Sequence, residues 1–213
     1  MDRSKFYAAL RARSSGVFGT SLTKGQVDGA ERILDEAQRR GTPLRHLAYI
    51  LSTAYHETAH TMQPTREKGG EKYLRSKRYY PWVGEGLVQV TWEENHRKFG
   101  VTAPGQMMTW PIALRAIFDG MTKGMFTGKK LDDFIYAEKC DYVGARQIVN
   151  GTDRDDDLAG YAKTFETALR AAAYIGQAPQ KLQIPEPKPQ PIPAPAPEPG
   201  PGWLSRILAR LFS

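Results

Sequence analysis

Apolar positions recur every three to four residues through most of the first 180 positions of this chain, and that period predicts helices. In "KGQVDGAERILDEAQRRG", Val27, Ala30, Ile33, Leu34 and Ala37 fall on one stripe that closes at Gly41, with Arg39 and Arg40 in the last turn. The following segment, "TPLRHLAYILSTAYHETAHTM", offers Thr42 as an N-cap, Pro43 at the first helical position and Pro64 just beyond the end. Leu44, Leu47, Leu51, Ala54 and Tyr55 make it a core helix. "WPIALRAIFDGMTKGMF" and "LAGYAKTFETALRAAAYI" return to the helical period. Between these stretches, residues 65–86 are basic, rich in Gly and Tyr and aperiodic, which predicts a long loop of the kind that carries function. "GLVQVTW" alternates and is β-branched, so it reads as a short strand. The expected fold is therefore mainly α over residues 1–180, with a small β element or loop.

The pattern breaks near residue 180. Proline occupies every second position from Pro185 to Pro201, a run that favours extended polyproline II and predicts a linker over residues 181–202. In the final eleven residues, "WLSRILARLFS", Trp203, Leu204, Ile207, Leu208, Leu211 and Phe212 recur at helical spacing, with Arg206 and Arg210 opposite. This reads as a cationic amphipathic C-terminal helix over 203–213, too short to span a bilayer but suited to membrane or envelope contact. The alternative is a sticky end that docks on the domain or on a partner.

Charge narrows the partners. Thirty Lys and Arg against 23 Asp and Glu give +7, which favours an anionic partner: nucleic acid, bacterial envelope or acidic lipid. A single cysteine, Cys140, excludes an intramolecular disulfide framework and reads as a buried small hydrophobe. The N-terminal "MDRSKFYAALRARSSG" lacks the run of about seven apolar residues of a secretory signal, so synthesis in the cytoplasm is expected.

Candidate chemistry centres on "AYHETAHTMQP", residues 54–64. His56-Glu57-Thr58-Ala59-His60 matches H-E-x-x-H, the pattern of a zinc peptidase helix. A zinc site of that kind needs a third protein ligand. The extended pattern would place Gly at 63 and His at 66, where this chain has Gln63 and Arg66. The competing reading takes Glu57 as one of two carboxyls flanking a glycosidic bond. Burial near a helix C-terminus suits an acid, and the following loop offers Glu67, Glu71 and Glu85 as partners among many cations. Tyr73, Tyr79, Tyr80, Trp82 and Trp92 are available for stacking on sugar rings, and the acidic run 153–157 reads as a solvated, helix-capping loop.

Three blocks carry a resemblance: "YHETAHTMQPTREKG", "YYPWVGEGLVQVTWEENHRKFG" and "RQIVNGTDRDDDLAGYAKTFETAL". Together, from about residue 40 to 172, they resemble the chitinase-related glycoside hydrolase family 19, in particular its bacteriophage endolysin and prophage muramidase branch. The resemblance implies a lysozyme-like fold of the family 19 type, with the β element or loop at the cleft. It also implies hydrolysis of peptidoglycan between N-acetylmuramic acid and N-acetylglucosamine. Glu57 matches the general acid, and Glu67 of "TREKG" is the best match to the second carboxylate. An inverting pair would stand roughly 6.5–9.5 Å apart. Gln89 and Thr91 would lie on the cleft wall and Asn150 opposite, with Tyr80 and His56 as further substrate contacts. Gln89 and Thr91 can equally serve backbone pairing, and Asn150-Gly151 is also a turn signal. The glycine block has Glu85 where the family usually has Arg, and a surface position is the favoured reading of it.

No cofactor or metal is implied. The expected partners are peptidoglycan glycan strands, without nucleic acid and with the chain as a monomer that acts in the periplasm or cell wall. A lytic transglycosylase or chitinase on the same fold, a zinc peptidase, and a non-enzymatic lytic module acting through the tail remain the alternatives.

Overall fold

A helix that is apolar on every side has to be buried on every side. Such a helix, α3 (Leu44–Glu57), runs through the middle of this computed structural model, which describes residues 1–151 and 153–176. The expected linker and C-terminal helix lie outside the described residues. Every α3 residue from His46 to Tyr55 is buried. Buried Ser52 and Thr53 both donate to the Tyr49 carbonyl at 2.8 and 2.9 Å, whereas the buried Tyr49 hydroxyl has no hydrogen-bond partner among the described residues.

The elements around α3 are α1 (Arg3–Arg11), α2 (Lys24–Arg40), α6 (Trp110–Lys123) and α8 (Asp155–Ala171). The short helices α5 (Glu93–Lys98) and α7 (Leu131–Phe134) precede and follow α6 in the chain. The stripe expected on α2 is the buried one for Ala30, Ile33, Leu34 and Ala37, and Val27 is half-buried. Thr23 and Gln26 form a capping box at its start, and Gly41 ends it in the left-handed conformation that glycine adopts without strain. α8 lies along α3 and also packs on α1. Asp155, Asp156 and Asp157 fill its first turn, where the helix dipole favours negative charge. The acidic run expected to be a capping loop is thus largely the helix start itself. The chain is mainly helical, and among the described residues no helix is long and apolar enough to cross a membrane.

Four local expectations change. Thr42 does not cap α3; Pro43 holds that position, because the Thr42 backbone closes α2 through Ala37 and accepts the Tyr174 hydroxyl at 2.9 Å. Secondly, α3 stops at Glu57, seven residues before Pro64. The Thr58 hydroxyl donates to the Ala54 carbonyl at 2.7 Å and accepts from the Met62 amide at 3.0 Å, folding the chain back. Ala59, His60 and Met62 then take positive φ. Gln26 and Gln63 tie this turn to the start of α2, by Gln26 Nε2 donating to the His60 carbonyl and Gln63 Nε2 to that of Gly25.

Thirdly, "GLVQVTW" is a tight reversal rather than a strand. Strand β1 (Thr65–Arg66) pairs antiparallel with β2 (Glu85–Gly86), and Glu85 then pairs with Val90. Positive φ at Gly86 and Gln89 turns the chain between them, and Leu87 and Val88 are both buried. The loop over 65–86 also contains a short helix, α4 (Glu71–Arg75). Lastly, Cys140 is exposed, at the end of a narrow turn that pairs it with Ile135.

Candidate active site

Glu57 ends α3 and opens into a pocket of about 140 Å³. The pocket is shared by the turn after α3 (His56, Thr58, Ala59), by β1 and its continuation (Thr65, Arg66, Lys68), and by Gln89. Ala59 and Gln89 are non-glycine residues with positive φ, as are their neighbours His60, Met62 and Trp92. Backbone strain persists only where surroundings over-determine it, so its concentration here marks the pocket as a built feature.

One cation sits behind the acid. Arg146, from the 3₁₀ turn Gly144–Ile148, donates through Nη1 to Glu57 Oε1 at 2.8 Å and through Nε to the Asp153 carbonyl at 2.9 Å. The Arg146 side chain is 3% exposed and that of Glu57 16%, so the pair faces the pocket from the Glu57 side. Oε2 of Glu57 has no hydrogen-bond partner among the described residues. The sequence reading does not single out Arg146, the first residue of "RQIVNG". Its signal was a lone arginine beside Ala145 and Ile148, since a charge buried among apolar residues requires a partner.

Glu67 continues β1. Its amide donates to the Gly84 carbonyl at 2.6 Å, and its Oε2 accepts the Gly84 amide at 3.1 Å. The Tyr79 hydroxyl donates to Oε1 at 2.7 Å, and the Tyr79 ring meets Trp92 edge-on at 5.5 Å. Glu67 therefore carries two neutral donors and is held between Arg66 and Lys68, both of which line the pocket. Gln89 Nε2 donates to the carbonyl and hydroxyl of Thr65, and Thr91 Oγ1 donates to the Gln89 carbonyl at 3.1 Å. A Cβ on Gly84 would stand 2.9 Å from Gln89 Oε1 and 3.4 Å from Thr91 Oγ1. Glycine at 84 thus lets Glu67, Gln89 and Thr91 converge.

The structure brings His56, Glu57 and Gln89 together in the pocket, with Glu67 and Thr91 adjoining through these contacts. Tyr80 and Asn150 do not line it. The Tyr80 hydroxyl donates to Glu71 Oε1 at 2.8 Å, and Arg75 stands over its ring. Asn150 is exposed, and its Oδ1 accepts from Gly151 at 2.9 Å. Glu85 is not a surface residue: it is 2% exposed, both its oxygens accept from the Gly105 amide, and His96 Nε2 lies 3.8 Å away. A backbone donor thus occupies a carboxylate expected at the surface, and the buried His96 Nε2 beside it has no hydrogen-bond partner among the described residues.

The geometry of H-E-x-x-H depends on the helix continuing through the second histidine, and here it ends at Glu57. His56 and His60 therefore do not share a helical face. His60 instead stacks on Tyr55, rings 4.1 Å apart and 5° from parallel. Burial draws both imidazoles below their ordinary 6.5, opposed at His56 by the Glu57 carboxylate and reinforced at His60 by Lys68. Among the described residues no cluster of three or more His, Cys, Asp or Glu is placed to hold a metal ion.

A second pocket, of about 360 Å³, lies at the other end of α3, lined by Leu44, His46, Ile135 and Tyr136 among others. Along the helix axis, His46 is roughly 16 Å from Glu57 at about 1.5 Å per residue. This pocket is the larger of the two and, like the smaller, has one acidic lining residue. That side chain, Asp132, is 65% exposed against 16% for Glu57, and His46 is occupied by the Ile135 carbonyl at 2.7 Å. The smaller pocket has the chemistry.

Comparison with protein-family models, with curated proteins and with solved structures finds no match to this chain.

Proposed function

We propose that this chain is a lysozyme-like peptidoglycan hydrolase that cleaves between N-acetylmuramic acid and N-acetylglucosamine by carboxylate general acid/base catalysis. The observation that carries the reading is the unequal provision of two carboxylates, Glu57 lining the pocket and Glu67 between its lining residues Arg66 and Lys68. Glu57 has a buried cation on one oxygen and no partner on the other among the described residues, while Glu67 has two neutral donors at the end of β1. The three sequence blocks that resemble family 19 support the same pair. In the proposed reaction Glu57 Oε2 gives its proton to the leaving glycosidic oxygen. Arg146 then stabilises the carboxylate left behind, through a charge-assisted hydrogen bond already in place. Glu67 accepts a proton from the attacking water on the opposite face of the sugar, and the anomeric configuration inverts. Gln89, fixed by Thr65, supplies a polar wall against which the strand or the water is oriented.

Glu57→Gln tests this. Glutamine keeps an acceptor for Arg146 but has no proton of suitable acidity to transfer, so kcat on purified peptidoglycan is expected to fall by about 10²–10⁴. Wild-type turnover by that variant, with its folding checked by thermal unfolding, would overturn the assignment.

A further inference from the structure

The segment from Arg66 to Arg78 contains six cations, and the structure divides them by what they already hold. Arg75 bonds Glu71 at 3.1 Å and lies over the Tyr80 ring, while Lys77 sits 4.0 Å from the centre of the Tyr73 ring. Lys72 and Arg78 are exposed and away from the pocket lining. Arg66 and Lys68 alone of the six line the pocket with Glu57. Arg66 has only a 3.5 Å approach to Glu71, whose other oxygen already accepts from Arg75 and Tyr80. Among the described residues Lys68 has no acidic partner within ion-pair distance.

Two largely uncommitted cations thus flank Glu67 at a pocket that also holds Glu57. A neutral glycan would have no use for them. An anionic strand would be repelled by both carboxylates unless nearby cations offset the repulsion, and the planar Arg66 fork suits bidentate contact with a carboxylate. We propose that Arg66 and Lys68 bind carboxylates carried by the glycan, so that the site selects an amino-sugar strand bearing carboxylates over a neutral one. In peptidoglycan these groups hang from the muramic acid side chains and their attached peptides; chitin has none. The inference rests on reading the pocket as a glycan site, and it assigns the substrate class to two named residues.

The test is cosedimentation of the full chain with insoluble, lipid-free peptidoglycan, with the same material after its carboxylates are amidated, and with chitin. The expected result is about tenfold tighter binding to untreated than to amidated peptidoglycan, the order given by two partly exposed charge pairs. Arg66→Gln/Lys68→Gln is expected to remove that preference and to flatten the dependence of binding on salt. Lys68→Gln alone should remove part of it. Equal binding to untreated and amidated material with Arg66 and Lys68 intact would overturn the proposal. So would a double variant that keeps the tenfold preference. A preference that survives amidation would assign the cations to wall phosphates instead, and likewise overturn it. All arms are run in the Glu57→Gln background so that binding is read without turnover. A failed digest of the same material by the chain with Glu57 intact would count against the hydrolase reading and leave this outcome separate.

Discussion

Arg146 takes one oxygen of Glu57 and leaves the other, and this asymmetry is the chemical core of the site. Its guanidinium is almost fully enclosed, so its charge has been moved out of water at a cost that only a partner and further hydrogen bonds offset. Glu57 and the Asp153 carbonyl supply them, linking the end of α3 to the approach of α8. Arg146→Met keeps most of the aliphatic volume but leaves Glu57 facing an apolar group. The expected loss of stability is about 3 kcal/mol, the low end for breaking a buried pair, because Glu57 retains some access to water. Urea unfolding measures it, and an unchanged midpoint would show that the pair contributes nothing net. Arg146 opens the block "RQIVNG", but its partner lies 89 positions upstream. Only the packing of the 3₁₀ turn against α3 brings them together.

At the level of elements, legibility followed locality. The period of α2, α6 and α8 is written in each segment, and the capping glycines Gly41 and Gly124 mark where α2 and α6 end. The end of α3 is not local. Pro64 looked like the stop, whereas the chain leaves the helix at Thr58 because the following turn docks on α2. That docking needs Gly29: a Cβ there would fall on the Met62 carbonyl. Gly29→Ala is therefore expected to destabilise by about 3 kcal/mol, the upper range for overpacking, because backbone rather than a flexible side chain must move. It should also lower kcat, since the displaced turn carries Thr58 and Ala59 of the pocket. Thermal unfolding and turnover measured together check this. A variant as stable and active as the wild type would show that the turn is not held by α2. Glu85 failed to be legible for a related reason. Its burial depends on the reversal at Gly86 and on the Gly105 amide, neither of which its own neighbourhood announces.

For the whole molecule, the +7 charge is not spread evenly in its use. Many of the 30 cations are held in ion pairs on the helices, such as Arg39 and Arg40 with Glu36, or Arg45 and Arg170 with Glu166. Hydrogen bonds from Arg39 and then Arg40 hold the Glu36 carboxyl below its ordinary range despite burial. Beside the pocket stand Arg66 and Lys68, the cations placed to meet an anionic strand there. The proposed activity is cleavage of the bond between N-acetylmuramic acid and N-acetylglucosamine. That bond is the central claim, and one measurement addresses it: the masses of soluble fragments released from purified, lipid-free peptidoglycan by the full chain. The account predicts one water added per cleaved bond, with new reducing ends on N-acetylmuramic acid. Anhydro-sugar ends, reducing ends on N-acetylglucosamine, or released peptides with intact glycan strands would each contradict it.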